Sequence, residues 1–217
     1  TAANHGDIGS NAVDLSYSNS VSTTRGATGS YSTAMGRNIT ASGLYSTAMG
    51  YGTTASGNFS TAMGQNTTAS DWYSTAMGIS TTASGLYSTA MGIGTTASAN
   101  YSTAMGSYTT ASGSYSTAMG SFTTASDYAS LSIGRYNSVN SAVTAGGSAA
   151  SFDTDNAALV IGNGTGTLSD AFVVYFNGNA TLSGDLTINS DERLKDNIQP
   201  LGSTLNKLHQ IEGKTYS

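Results

Sequence analysis

Tyr45-Ser46-Thr47-Ala48-Met49-Gly50-Tyr51-Gly52-Thr53-Thr54-Ala55-Ser56-Gly57-Asn58 is one copy of a phrase that decides the fold. Its form is Tyr-Ser-Thr-Ala-Met-Gly, two variable residues, Thr-Thr-Ala-Ser, then two more variable residues. It begins at Tyr31 and returns at Tyr45, Phe59, Tyr73, Tyr87, Tyr101 and Tyr115. All seven methionines of the chain, Met35 to Met119, belong to it, and a glycine follows each one. The period never slips.

Fixed self-similarity signals a solenoid, in which each repeat contacts mainly its neighbours. Fourteen residues are two heptads, so a coiled coil is the first alternative. It fails, because a coiled coil needs apolar a and d positions on good helix formers. Here Ser, Thr and Gly dominate, and each glycine costs a helix about 1 kcal/mol. The β reading works: Tyr-Ser-Thr-Ala-Met is a strand, Thr-Thr-Ala-Ser a second one, and glycines of the Gly36 and Gly43 type punctuate them. Two short strands and two tight turns make one coil. Coils stack about 4.8 Å apart, so seven to eight of them give a rod of roughly 35–40 Å.

Stacking in register turns identical residues into ladders, one of aromatics and one of methionines. Within a strand, Tyr31, Thr33 and Met35 share one face and Ser32 and Ala34 the other. Neither face carries charge, which predicts that both are covered. An interior of Ala, Ser and Thr buries little apolar area. At about 25 cal/mol per Å² against roughly 1.5 kcal/mol of ordering entropy per residue, one rod alone is marginal. Parallel copies of the same chain would bury the remaining stripe.

The run Ala-Ser-Gly-x-x-Ser-Thr-Ala-Met-Gly-x-x-Thr-Thr-Ala-Ser-Gly resembles the head repeat of YadA-like, haemagglutinin-type trimeric autotransporter adhesins, over about Tyr17 to Gly134. The resemblance implies an all-β fold, a trimeric left-handed parallel β-roll of fourteen-residue coils at the distal end of a surface fibre. The number three comes from the resemblance. Where that family has an aliphatic pair, this chain has Thr and Met.

Only 9 % of the 217 residues are charged, the net charge is −5, and there is no cysteine. Such a composition usually goes with disorder, but the strict repeat argues against it. A chain so poor in basic residues is a weak candidate for nucleic acid or an anionic membrane surface. Disulfides and thiolate metal sites are excluded. No stretch approaches the roughly 20 apolar residues of a membrane-spanning helix. The absence of a signal peptide before Thr1, and the stop at Ser217 within a motif, suggest a fragment of a longer fibre.

Five segments follow from the patterning. Residues 1–30 read as a degenerate first coil or cap, with Tyr17 fourteen before Tyr31 and Val21 in the methionine slot. Residues 31–134 are the β-roll. Residues 135–157 are a Ser-, Ala- and Gly-rich connector. Residues 158–189 hold strong strands at Ala158–Ile161 and Ala171–Phe176, an Asn177-Gly178 turn signal and further short strands, read as a trimeric β-prism or neck. Residues 190–217 carry a second motif.

That motif, Ser190-Asp191-Glu192-Arg193-Leu194-Lys195-Asp196-Asn197-Ile198, resembles the start of the endosialidase-type intramolecular chaperone, found at the end of phage tail fibres and some bacterial surface fibres. The resemblance implies that Ser190 attacks the peptide bond before it and that Lys195 acts as base. A lysine can do so only when burial lowers its pKa. A short helix is predicted from Ser203, with Leu201, Leu205, Leu208 and Ile211 at helical spacing. Because the motif's domain is truncated here, self-cleavage is expected only in the full-length parent.

Ligand-binding candidates lie in the variable slots. Tyr51, Trp72, Tyr108 and Phe122 are aromatic there, and aromatic faces suit glycan or protein contacts. The competing reading packs them across seams between chains. Gly162 to Gly166 resembles a phosphate loop without its lysine and reads as a turn. Asp153, Asp155, Asp170 and Asp185 read as surface acids, and His5 and His209 are too few for a histidine site, so no metal or cofactor is predicted. Asn38, Asn58, Asn66, Asn100, Asn163 and Asn179 open Asn-x-Ser/Thr triplets of the kind such a composition yields by chance.

The leading functional reading is a non-enzymatic, extracellular fibre segment on a bacterial surface, which displays a receptor-binding surface to a glycan or protein by avidity. The alternative is a phage tail-fibre segment for host recognition, with a self-cleaving chaperone in the full-length protein.

Overall fold

A sequence that spells the same residues repeatedly can make the same backbone bonds repeatedly. The computed structural model describes residues 6–185; contacts divide the chain into Thr1–Gly184 and Asp185–Ser217, and the first of these units is described here. Long and short strands alternate along it: β1 (Val13–Tyr17), β2 (Gly26–Ala27), β3 (Thr33–Arg37), β4 (Thr40–Ala41), β5 (Thr47–Tyr51), β6 (Thr54–Ala55), β7 (Thr61–Gln65) and β8 (Thr68–Ala69). The alternation continues with β9 (Thr75–Ile79), β10 (Thr82–Ala83), β11 (Thr89–Ile93), β12 (Thr96–Ala97), β13 (Thr103–Ser107), β14 (Thr110–Ala111), β15 (Thr117–Ser121), β16 (Thr124–Ala125) and β17 (Leu131–Arg135). Three more strands, β18 (Ala157–Asn163), β19 (Asp170–Tyr175) and β20 (Ala180–Leu182), complete the described part.

Long strands form one parallel sheet and short strands another. The register is that of the repeat: Thr47 lies beside Thr61, Ala48 beside Ala62 and Met49 beside Met63. The predicted all-β solenoid of fourteen-residue coils is the fold observed. The predicted C-terminal helix lies outside the described residues.

Strand boundaries differ from the sequence reading by two residues. Each long strand of the repeat, β3 to β15, starts at Thr, not at the aromatic, and runs on through glycine to the first variable residue. The aromatic is a corner instead. From Tyr31 to Tyr115 these seven residues have φ of 54–61°, the left-handed region. The second corner of each coil falls at the second variable residue, where Asn38, Gly52, Asn66, Ser80, Gly94, Tyr108 and Phe122 have φ of 53–65°. Asn and Gly suit that conformation, which explains their frequency there. Both corners are tied to the coil before: the Phe59 amide donates to the Leu44 carbonyl at 2.8 Å and the Asn66 amide to the Tyr51 carbonyl at 2.8 Å.

The interior is built from small side chains. Alanines of both strands, from Ala27 to Ala125, are fully buried, and rows of Ser (Ser46 type) and Thr (Thr53 type) lie buried between them. Of the two strand faces, the Ser/Ala one is therefore the coil interior, and the Thr/Met one faces outward. The interior serines meet their hydrogen-bonding need locally where they can: Ser74, Ser102 and Ser130 each donate to the carbonyl three residues back at 2.6–2.7 Å.

Both ends depart from the repeat. At the first coil Val13 pairs with Thr33, Leu15 with Met35 and Tyr17 with Arg37. Leu15, not Val21, therefore occupies the methionine row, and the coil is six residues longer than the rest. The extra chain forms a turn held by Arg25, whose guanidinium donates to Ser18 Oγ at 2.9 Å and Ser20 Oγ at 3.0 Å.

At the other end, residues 136–156 fold back as a polar cap. Asn137 and Asn140 stand fourteen residues after Thr123 and Ser126, where a ninth short strand would run. Their side-chain amides replace that strand's backbone. Asn137 Oδ1 accepts from the Thr124 amide at 2.7 Å, and Asn137 Nδ2 donates to the Thr124 carbonyl at 2.8 Å. Asn140 Oδ1 accepts from the amides of Ser126 and Asp127 at 2.7 and 2.6 Å. Buried Asp127 ties the cap to the next strand, accepting from Thr144 N, Thr144 Oγ1 and Ala157 N at 2.6–2.7 Å.

The long-strand sheet does not stop there. β18 joins β17 in parallel, with Leu131 beside Leu159 and Ile133 beside Ile161, so it extends the roll's own sheet. β19 and β20 then add antiparallel. A small core of Ala157, Val160 and Val173 underlies them.

Candidate binding surfaces

Three surfaces emerge from this geometry. The first is the outward face of the long-strand sheet. Thr33 to Thr117 and Met35 to Met119 form two parallel files on it, because residues two apart in a strand point the same way. The files continue into aliphatic residues at both ends: Val13 and Leu15 on β1, Leu131 and Ile133 on β17, Leu159 and Ile161 on β18. Thus an uncharged stripe runs over the length of the sheet. Its ends are strongly apolar, with Leu15 65 % exposed, and its middle is Thr and half-buried Met. Ile133, with the glycine that follows it, keeps the repeat's strand and is legible in the sequence as a replacement for Met; the places of Val13, Leu15, Leu159 and Ile161 come from the register.

The second surface is the aromatic corner file. Rings of Tyr31, Tyr45, Phe59, Tyr73, Tyr87, Tyr101 and Tyr115 stack with centroids 4.7–5.3 Å apart and planes within 12° of parallel. Each ring is 41–51 % exposed. Since neighbours cover the faces, what each presents to solvent is an edge and, for the tyrosines, the hydroxyl. Residues before the corner add to the surface: Asn58 Oδ1 accepts from the Leu44 amide at 2.9 Å and Asn100 Oδ1 from the Leu86 amide at 3.2 Å. These two asparagines of the glycosylation-like triplets are thus engaged in joining coils.

The third surface is the opposite corner. Tyr108, Phe122 and Tyr136 stack there at 4.9 and 4.6 Å, and the Arg135 guanidinium lies 5.2 Å from the Tyr136 centroid. Tyr136 was not singled out in the sequence, though it stands fourteen after Phe122.

The four aromatic candidates do not converge. Tyr51 ends β5, and the Arg37 guanidinium sits 5.5 Å from its ring centroid. Tyr108 and Phe122 lie on the same side as Tyr51 but stack on each other. Trp72 belongs to the other end of the long strands, beside corner Tyr73; it is 52 % exposed and its amide donates to Asp71 Oδ1 at 2.8 Å. Ser190 and Lys195 lie outside the described residues.

Of the acidic residues, Asp170 accepts from the Ser138 and Val139 amides at 2.8 and 2.7 Å, so its carboxylate holds the cap in place. Among the described residues no group of three or more His, Asp or Glu gathers as metal ligands. In the glycine-rich run, the Asn163 amide donates to Ser169 and the Gly164 amide to Arg135, which leaves these donors turned into the sheet end. No described helix is long and apolar enough to cross a membrane.

Comparison with known families agrees with this architecture. The YadA head domain repeat matches over residues 27–53, 41–67, 55–81, 69–94, 83–109 and 111–137. The chaperone of endosialidase matches over residues 190–217. No curated protein matches the chain. The head-repeat matches together cover half of the sequence and coincide with the stacked coils, and the chain belongs to the YadA head-repeat family.

Proposed function

We propose that the chain is a non-enzymatic section of an extracellular homotrimeric fibre, in which three left-handed rolls pack through their Thr/Met stripes and display a receptor-binding surface outward. The observation that carries this reading is the uncharged stripe along the long-strand sheet, apolar at both ends. Covering it would remove the exposed Val13, Leu15 and Met35 from water, at about 25 cal/mol per Å². Residues 31–134 would form the roll, 135–157 the cap and 158–189 the start of a neck. The solution mass by analytical ultracentrifugation tests it. Three chains are expected, and Met77→Asp should dissociate them by placing a charge in the seam. A wild-type monomer would end the trimer reading.

The receptor would be a surface glycan or protein. Trp72 is the strongest of the four candidates, since stacked neighbours or a guanidinium occupy faces of the other three. Binding to glycan arrays and to whole target cells, compared between wild type and Trp72→Ala, tests this. Silence in both would leave the rod as a spacer.

The chaperone match at residues 190–217 supports a second reading, a phage tail-fibre segment for host recognition. In the full-length protein Ser190 would then attack the Asn189–Ser190 bond with Lys195 as base. A product beginning at Ser190, abolished in Ser190→Ala, is the expected result, and an intact full-length chain after folding would refute cleavage.

A further inference from the structure

The corner tyrosines are placed for a chemistry that a binding surface does not require. Tyr31 and Tyr45 stack at 4.7 Å, and beyond Phe59 four tyrosines follow in unbroken succession. Tyr73–Tyr87, Tyr87–Tyr101 and Tyr101–Tyr115 have centroid separations of 4.7, 5.3 and 4.7 Å and planes 1°, 9° and 7° apart. Tyr128 meets Tyr115 edge-on at 5.3 Å. The stacked tyrosine neighbours come from consecutive coils, so each stacked pair bridges chain positions a full period apart, and Tyr115 and Tyr128 lie thirteen residues apart. With 41–51 % of each stacked ring exposed, oxidants reach the outer edges, and a ring has room to swing out of the stack.

We propose that this file is a site of oxidative cross-linking, in which adjacent tyrosines couple to dityrosine and staple consecutive coils together. The oxidant is hydrogen peroxide acting through a haem peroxidase. Two phenols each give up one electron and one proton to become phenoxyl radicals, whose unpaired spin resides partly on the carbons ortho to oxygen. One ring slides so that two ortho carbons meet, a carbon–carbon bond forms, and the ortho hydrogens move to the oxygens as both rings become aromatic again. The two electrons and two protons reduce one peroxide to two waters. Fixed proximity favours coupling within the stack over encounter between separate chains. In a chain with no cysteine, this is a covalent brace that needs no disulfide.

The geometry also says which pairs are excluded. Phe59 has no hydroxyl and separates Tyr45 from Tyr73, and Phe122 separates Tyr108 from Tyr136 in the same way. The outward-facing methionines compete for peroxide, but they gain oxygen, whereas each cross-link loses two hydrogens.

The purified chain treated with peroxidase and hydrogen peroxide provides the test, read by dityrosine fluorescence and by mass mapping of linked peptides. Links are expected at Tyr31–Tyr45 and among neighbours from Tyr73 to Tyr128, with a yield several-fold above that of the same chain in denaturant. Tyr87→Phe should delete both links to position 87 and leave Tyr31–Tyr45 and Tyr101–Tyr115, while Phe59→Tyr should create new links to Tyr45 and Tyr73. The cross-linked chain should melt at a higher temperature than the untreated one. The proposal is overturned by methionine sulfoxide without dityrosine, by a yield equal to that in denaturant, or by links that ignore the stacking order.

Discussion

Glycine and its neighbours show how little freedom single residues have in this roll. Gly64 has φ of +120°, and a Cβ placed on it would stand 2.0 Å from the Gly78 carbonyl oxygen of the next coil. Neither backbone can yield without breaking the ladder. Gly64→Ala is therefore expected to destabilise the fold by at least about 3 kcal/mol, from strain and contact together. Gly52 is the control. Its φ is +65°, a conformation that asparagine adopts at neighbouring coils, and the tight contact of its Cβ would be with the movable Asn66 side-chain oxygen, at 2.5 Å, with backbone no nearer than 3.9 Å. Gly52→Asn should stay within about 1 kcal/mol of wild type. Thermal unfolding of both variants by circular dichroism checks the pair, and equal losses would contradict this account. The aromatic corners follow another logic. Tyrosine and phenylalanine are poor residues for left-handed φ, and stacking with the rings above and below offsets the cost, at about 0.5–1.5 kcal/mol per pair. A single coil would gain nothing from such a corner; a file of them does.

At the scale of strands and sheets, the repeat and its terminations differ in how they can be read. Coils were legible because every contact recurs: Thr, Ala and Met each sit beside themselves one period on, so sequence periodicity is contact periodicity. The inside-outside alternation of Ser32 and Ala34 against Thr33 and Met35 was legible for the same reason. Strand starts were not, since an aromatic at a left-handed corner and one in a strand leave the same mark in the sequence. The cap was illegible because side-chain amides replace backbone groups there, and nothing in the composition of residues 135–157 distinguishes that from a loose connector. Only the spacing of Asn137 and Asn140 from Thr123 and Ser126 held the clue. Asn137→Ala strips the Thr124 amide and carbonyl of their partners, and it is expected to cost about 1–3 kcal/mol. Hydrogen exchange should report it first at β16, whose amides should lose protection before those of β6 to β10. Uniform loss along the roll would mean that Asn137 serves some other purpose. The cap also removes an exposed sheet edge, the usual template for unwanted strand pairing.

For the molecule as a whole, stability is close to a sum over neighbouring coils. Excising Phe59 to Trp72 joins Asn58 to Tyr73 and restores the phrase without a seam. The shortened chain should fold and keep its sheet spectrum. Excising Phe59 to Asp71, one residue fewer, leaves a coil of fifteen residues, which keeps register only by looping the surplus residue out at the corner, as the longer first coil does. That chain should fold but melt at a lower temperature than the fourteen-residue deletion, and circular dichroism checks both. Failure of the fourteen-residue deletion to fold would sink the solenoid argument.

The side-chain amides that close the shorter sheet have a consequence for heredity as well as for packing. Because termination is written in a unique segment and the middle is written in near-synonyms, recombination between copies can add or remove whole units while leaving the terminus intact. The length of the rod is then a quantity that natural selection can adjust in uniform steps, as on a ruler, with no need to reinvent the device that stops it.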